Sequence, residues 1–313
     1  MTPRAALLFL AALAAGCAAP AARPEPGGGA PVFARVADPE SIGAVRDLFR
    51  RRNPGYDLEY RGGLKSLDES LRARILFVQE GESSVRIGRG SEALAVSEGD
   101  AILLRPGETL AFVPPVGALV FTVPEPIPAT VPKVIRPDFD PRLTDTPGGC
   151  ATETDAYRRL LLTWREENGP YVYRGLNAHR VRIVDSFTHF HPVSGGFDEF
   201  YLVQGLLPGG RLLTSGAVDR IRAPETVTRE ETASLLEEMP LAVGDLVYLP
   251  RGVVHRGVGG ALVQVITVPG FVPGAEIGVD ADLSAINARL GLSGPDALPF
   301  NPAAAAGTPG GSR

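Results

Sequence analysis

The chain has 313 residues, 44% of them hydrophobic and 21% charged, with a formal net charge of −5. That length suits two domains of ordinary size, and the balance is that of a globular protein. The mild negative charge, without any Lys/Arg cluster, excludes nucleic acid as a partner, because nucleic acid requires a basic face.

In chain order, residues 1–16 read as a bacterial lipoprotein signal peptide. Arg4 gives a short positive start, and residues 5–15 form an apolar run of 11 residues, too short to span a bilayer as a helix. Leu13, Ala14, Ala15, Gly16 and Cys17 then resemble a lipobox, whose cysteine is lipidated and becomes the mature N-terminus. Ala14 stands where leucine is commoner, and an ordinary secretory signal cleaved nearby is the alternative. The expected location is extracytoplasmic, anchored to the cell envelope through lipid on Cys17. Residues 17–40, rich in Ala, Pro and Gly, are expected to be a flexible tether. With Cys17 lipidated, Cys150 is the remaining thiol. It reads as a small loop residue, since no base or metal partner lies near it in sequence.

Ile42, Val45, Leu48 and Phe49 fall at helical spacing and predict a short amphipathic helix over 41–52. From about residue 72 to 124, short apolar runs alternate with Gly and Pro turns, the pattern of a β-sandwich or barrel. Residues 126–153 are proline-rich and predict an interdomain linker. Residues 154–167 predict a second helix, with Thr154 as cap and Tyr157, Leu160, Leu161 and Trp164 on one face. Strands resume over 171–273. A last helix runs from Leu283 to Leu290 and stops at Gly291, and residues 293–313 predict a disordered tail.

The two strand-rich regions read as a divergent repeat. Gly99 and Asp100 align with Gly244 and Asp245 at an offset of 145, and at that offset Leu110 meets His255. The second copy carries an insertion between Gly205 and Gly244. There Thr228 and Glu231 form a capping box ahead of an expected short acidic helix, either a lid over the barrel mouth or a solvated surface helix.

Three of the four histidines cluster in the second copy. Alternate residues of a strand point to one face, so His189 and His191 present two imidazoles side by side, with Cα atoms roughly 6.5 Å apart. Glu199 opens the returning strand and can add a carboxylate oxygen; Asp198 is its rival. Pro250 and Gly252 make a tight turn that aims His255 back at the pair. Three neutral imidazoles and a carboxylate suit one divalent transition metal (Fe, Mn, Cu, Ni, Co or Zn) and do not suit Ca or Mg. His179 stands ten residues upstream without such context and reads as structural. Phe187, Tyr201 and Val203 share strand parity with the ligands and are expected on the pocket wall.

These two segments resemble the cupin superfamily. His189, His191, Glu199 and Gly205 resemble its first motif, with a loop lengthened to seven residues between His191 and Glu199. Gly244, Pro250, Gly252 and His255 fall in register with its second, while Gly259 replaces the usual asparagine. The resemblance covers residues 170–275 well and 60–125 weakly. It implies an all-β fold of two tandem cupin (jelly-roll β-barrel) domains with a few short flanking helices. Residues 41–125 would form a degenerate barrel without ligands, and 154–292 the metal-binding barrel. The implied function is a metal-dependent oxidoreductase of the dioxygenase type acting on a small organic molecule, with Glu199 as both ligand and proton acceptor. A non-catalytic, envelope-anchored metal or small-ligand binding protein is the alternative. Cupin barrels often pair through sheet edges, which leaves a homodimer open.

Overall fold

The computed structural model describes residues 29–89, 92–149 and 156–307. The signal peptide, Cys17, most of the tether, Cys150 and Thr154 lie outside the described residues. The chain opens with β1 (Val32–Arg35) and α1 (Pro39–Arg52). A first barrel follows: β2 (Asp57–Leu67), β3 (Ala73–Glu80), β4 (Ser83–Ile87), β5 (Leu94–Val96), β6 (Ala101–Leu104), β7 (Leu110–Val123) and β8 (Val134–Ile135). The second begins with β9 (Arg158–Leu162), β10 (Asn177–Asp185), β11 (His189–Phe190), β12 (Asp198–Leu206) and β13 (Arg211–Ser215). It continues through α2 (Val218–Ile221), β14 (Glu237–Pro240), β15 (Asp245–Leu249), β16 (Val254–Val268) and β17 (Ile277–Gly278), and ends in α3 (Asp280–Leu290) and α4 (Pro302–Ala305).

This is the all-β, two-barrel arrangement expected. Seven strands form one sheet and ten form the other. Among the described residues no helix is long and apolar enough to cross a membrane.

The repeat is visible in matched hydrogen bonds. Gly99 N donates to Val78 O and Gly244 N to Val203 O, each at 2.9 Å, and both glycines have positive φ, at 90° and 86°. In each turn the following aspartate accepts from the backbone three residues back: Ser97 N to Asp100, Ala242 N to Asp245. The copies then join reciprocally. Gln79 Nε2 donates to Val203 O, and Gln204 Nε2 donates to Val78 O.

Strand parity divides the apolar side chains into separate cores. On β3 and β12, Ile75, Phe77, Phe200 and Leu202 face the core between the barrels. Leu76 and Val78 face the interior of the first barrel, and Tyr201 and Val203 that of the second. Phe49 of α1 is fully buried between the barrels, with Tyr56, Phe121, Phe200 and Tyr248 at ring-centroid distances of 5.1–6.2 Å. Such edge-to-face packing aligns the positive ring edges with the negative faces.

Four expectations need correction. The tether does not extend to residue 40: β1 pairs with β15 of the second barrel, so the N-terminus straps both halves together. The proline-rich segment 126–153 is packed and not loose. Its Ile127, Val131 and Leu143 are buried in the inter-barrel core, and β8 pairs with β6. Over 154–167, β9 is a strand paired with β10, followed by a 3-10 turn at Glu166–Asn168. Leu160, Leu161 and Leu162 are all buried, so both faces are apolar and the sequence shows no polar phase to separate period 2 from period 3.6. The tail is ordered to residue 307: Leu298 packs beside α3, and Asn301 N donates to Asp280 Oδ1.

The last helix matches its expected end, Gly291 adopting φ 61° at the C-cap. In the insertion, Thr228 N does donate to Glu231 Oε2, but only a 3-10 turn follows, at Thr232–Ser234. The insertion is neither lid nor solvated helix. Ile221, Val227 and Leu235 are buried against Phe190, Leu283 and Ile286, so it forms a satellite core behind β11.

Candidate metal centre

Backbone pairing brings the histidines together. His189 stands directly opposite His255 where β11 meets β16, and Gly252 N donates to His191 O at 2.7 Å. The turn that carries His255 is thereby tied to the strand that carries the other two. Behind them, Asp280 accepts from Thr188 N and from Thr188 Oγ1, at 2.7 and 2.6 Å, fixing the residue before His189.

His189, His191, Glu199 and His255 each offer one donor atom, all within 4.8 Å of one another, and all four residues are buried. Glu199 Oε2 lies 3.4 Å from His191 Nε2, and Glu199 Oε1 lies 3.9 Å from His255 Nε2. Donor atoms bound to one ion at about 2.0–2.2 Å stand at most about 4.4 Å apart. The set is therefore within a few tenths of an ångström of a ligating arrangement.

The ring orientations are fixed from behind. His189 Nδ1 donates to Phe187 O at 3.2 Å and His255 Nδ1 to Val253 O at 3.1 Å, while His191 bonds the backbone of Phe197. A carbonyl only accepts, so each of these nitrogens carries the proton and Nε2 keeps a lone pair. Phe187 stacks on His189 at 4.2 Å and Phe197 on His191 at 3.9 Å. The three Nε2 atoms and Glu199 Oε1 are buried and have no hydrogen-bond partner. Unpartnered buried polar atoms are rare, and four converging on one point fit a cation.

Burial sets the charge states. It lowers His189 and His191 well below the ordinary imidazole value, reinforced by the neighbouring histidines, and it lowers His255 to about 4. Neutral imidazole is the ligating form. Burial, together with the charge of Glu276, raises Glu199 to about 8; a hydrogen bond from Tyr201 acts in the opposite direction.

Asp198, the rival carboxylate, faces away from the cluster. It is fully buried on the opposite face of β12 and accepts from Asn53, Tyr248 and Arg251. Phe187 backs His189, and Tyr201 bonds Glu199 and meets the His255 ring edge-on at 6.3 Å, whereas Val203 lies in the apolar interior of the barrel. The cavity beside Glu199 has other walls, among them Arg158, Trp164, His179, Thr267, Phe271 and Glu276. Glu276 was not singled out from sequence. Its Oε1 is 4.0 Å from His189 Nε2, yet it stands in a loop beyond both motifs with no spacing signal.

Among the described residues the first barrel has no such cluster. Matched turns place Leu110 at the position of His255 and Arg74 at that of Glu199, and strand pairing sets Leu67 beside Leu110 where His189 sits beside His255. Leu67 and Leu110 fill the barrel at the histidine positions instead.

No protein-family model matches the chain, and no curated protein matches it. Solved structures do. Procruciferin, the 11S globulin of Brassica napus, aligns at 10% identity and a TM-score of 0.48, covering 77% of this chain and 85% of its own. The oxalate decarboxylase of Bacillus subtilis, in a structure from work on its Mn(II) centers, aligns at 13% identity and a TM-score of 0.47, covering 86% and 81%. Vicilin of Corylus avellana (hazelnut) aligns at 9% and 0.43, covering 69% and 74%. At these values the function of this chain rests on its own residues.

Proposed function

We propose that the protein holds one divalent transition metal on His189, His191, Glu199 and His255 and acts as an oxidoreductase of the dioxygenase type on a small organic molecule. The observation that carries the metal site is the convergence of four buried donor atoms, none with a hydrogen-bond partner. Three imidazoles and one carboxylate favour a borderline ion over Ca or Mg. When bound, such an ion supplies Lewis acidity and, for Fe, Mn or Cu, a redox centre.

The chain's residues supply the rest. The Nδ1 bonds and the Phe187 and Phe197 stacks hold the rings in place, so little ordering is left for the moment of binding. Burial excludes water. Glu199, its buried carboxylate set among the histidines, is placed to take a proton from a bound substrate. The Tyr201 hydroxyl bond holds the carboxyl in place during that transfer. The reaction type rests on the sequence resemblance, and the envelope location on the lipobox-like segment ending at Cys17.

Elemental analysis of protein purified from its own host's envelope, followed by oxygen uptake against a panel of small organic substrates, tests this reading. About one equivalent of Fe, Mn, Cu, Co or Ni with substrate-dependent oxygen consumption supports it. Tightly held Zn without turnover favours a non-catalytic binding protein, and absence of metal ends the assignment.

A further inference from the structure

The turn that brings His255 to the cluster is held from outside its barrel. Arg251 N donates to Asp198 Oδ1 at 2.8 Å, and Arg251 Nε to the same oxygen at 2.9 Å. Asp198 Oδ2 accepts from Tyr248 Oη and from Asn53 Nδ2, each at 2.6 Å. Asn53 is the C-cap of α1. Arg251 Nη2 reaches the same helix end, donating to Arg52 O at 3.0 Å and to Asn53 Oδ1 at 3.1 Å. Arg52 Nη2 returns a bond to Arg251 O at 3.0 Å. One fully buried carboxylate thus ties a helix end to the turn.

From this joint to the ligating nitrogens the path is short and hydrogen-bonded. Gly252 N donates to His191 O at 2.7 Å, and Val253 N to Pro250 O at 3.1 Å. Val253 O then accepts from His255 Nδ1 at 3.1 Å. At the other end, Asp198 immediately precedes Glu199 on β12. The joint therefore sets the spacing among Glu199, His191 and His255, which come from three different segments. A metal site works only when its donors are held to within about 0.5 Å.

A device for barrel cohesion alone would serve the first barrel equally well, and the first barrel does not have it. Asp198 stands opposite Val268, and Ala73 opposite Val123, so the repeat sets Ala73 at the place of Asp198. The offset of 145 sets Leu103 at the place of Tyr248 and Pro106 at that of Arg251. None of these side chains donates or accepts a hydrogen bond, and proline has no N–H to offer. The barrel without ligands is the one without the joint. Cohesion between the barrels has its own means in the Gln79 and Gln204 bonds and the shared apolar core.

We infer that Arg251 is a positioning residue for the metal centre. Anchored on Asp198 and on α1 at Arg52 and Asn53, it sets the place of His255, so a helix that precedes the first barrel completes a site in the second. The inference rests on the metal site proposed above and names what holds its geometry.

The test titrates full-length protein with Co²⁺, reading affinity and ligand geometry from the visible Co²⁺ absorption, with bound cobalt checked by elemental analysis. Arg251→Met is expected to weaken cobalt binding about tenfold or more and to shift the bands. Arg251→Lys should recover part of the loss. Tyr248→Phe, which removes a single hydroxyl from Asp198, should move both readouts in the same direction by a smaller factor. Phe77→Leu serves as the control: it loosens the core between the barrels on the side of the first, so it should lower the melting temperature while keeping wild-type affinity and bands. Wild-type affinity and bands in both Arg251→Met and Tyr248→Phe, or an equal loss of affinity in Phe77→Leu, overturns the positioning role alone. Should Arg251→Met fail to fold, Tyr248→Phe decides by itself. A wild-type protein that takes up no cobalt overturns this inference and the metal site together.

Discussion

Asp198 and Glu199 are adjacent on β12 and serve opposite faces of it. Glu199 points to the histidines, 3.4 Å from His191 Nε2, while Asp198 points to the inter-barrel side and takes Arg251 Nε at 2.9 Å. Arg251 and Arg52 also donate to each other's backbone carbonyl, each at 3.0 Å. Asp198 thus joins the end of α1 to the turn that carries His255. Two neighbouring acids divide into a structural one and a site one because a strand alternates its faces.

The first prediction separates those roles. Asp198→Asn removes the charge from a fully buried carboxylate paired with Arg251 and is expected to cost about 3 kcal/mol of stability, since it leaves a half-buried guanidinium without its counter-charge. Glu199→Gln is expected to leave the metal-free melting temperature unchanged or raised, because Glu199 Oε1 has no partner to lose. It should nevertheless abolish most metal uptake. Thermal melts and elemental analysis of both variants check this. A lower melting temperature for Glu199→Gln than for Asp198→Asn would reverse the assignment.

The second concerns the imidazoles. His191→Ala and His255→Ala should each lose most of the bound metal, because each removes an Nε2 aimed at the common point. His179→Ala should retain it, since His179 is not one of the four converging residues. Metal content measured after dialysis against a chelator discriminates them, and equal retention in all three would remove the site.

The third concerns pH in the metal-free protein. Folding lowers the buried histidines below their ordinary value of 6.5, His255 to about 4. Between those values the unfolded chain binds more protons, so stability falls as pH drops below about 6.5. Glu199 has the opposite sign. Raised from 4.5 to about 8, it stabilises the protonated folded form, and that contribution is lost as pH rises towards 8. Metal-free protein is therefore expected to melt highest near pH 6.5. Excess Co²⁺ should abolish the decline on the alkaline side, because ligation favours ionised Glu199. Melting curves at several pH values, with and without cobalt, measure both slopes.

The fourth concerns the joint between barrels. Phe49→Ala empties a fully buried position on α1 in contact with Tyr56 and with rings from both barrels. The expected loss is about 3–5 kcal/mol. Denaturant unfolding followed by tryptophan fluorescence reads it, Trp164 being the single tryptophan and lying in the second barrel.

The sequence on its own determined whatever depends on local spacing. The Gly-Asp turns of the repeat, the α1 stripe of Ile42, Val45 and Phe49, the stop at Gly291 and the pairing of His189 and His191 with His255 all repeat at short or motif-defined intervals, and the structure carries each of them. The segments it misjudged were those whose burial comes from distant partners. β9 carries apolar side chains on both faces because they line the cavity and join the core between the barrels, so alternation leaves no mark in its composition. β1 and the proline-rich segment are ordered by pairing and packing across the molecule. The choice between Asp198 and Glu199 and the arrival of Glu276 and Arg158 beside the histidines belong to tertiary structure alone. An acidic or basic residue acquires a role only from what folding places against it, and contacts across dozens of residues leave no period in a sequence.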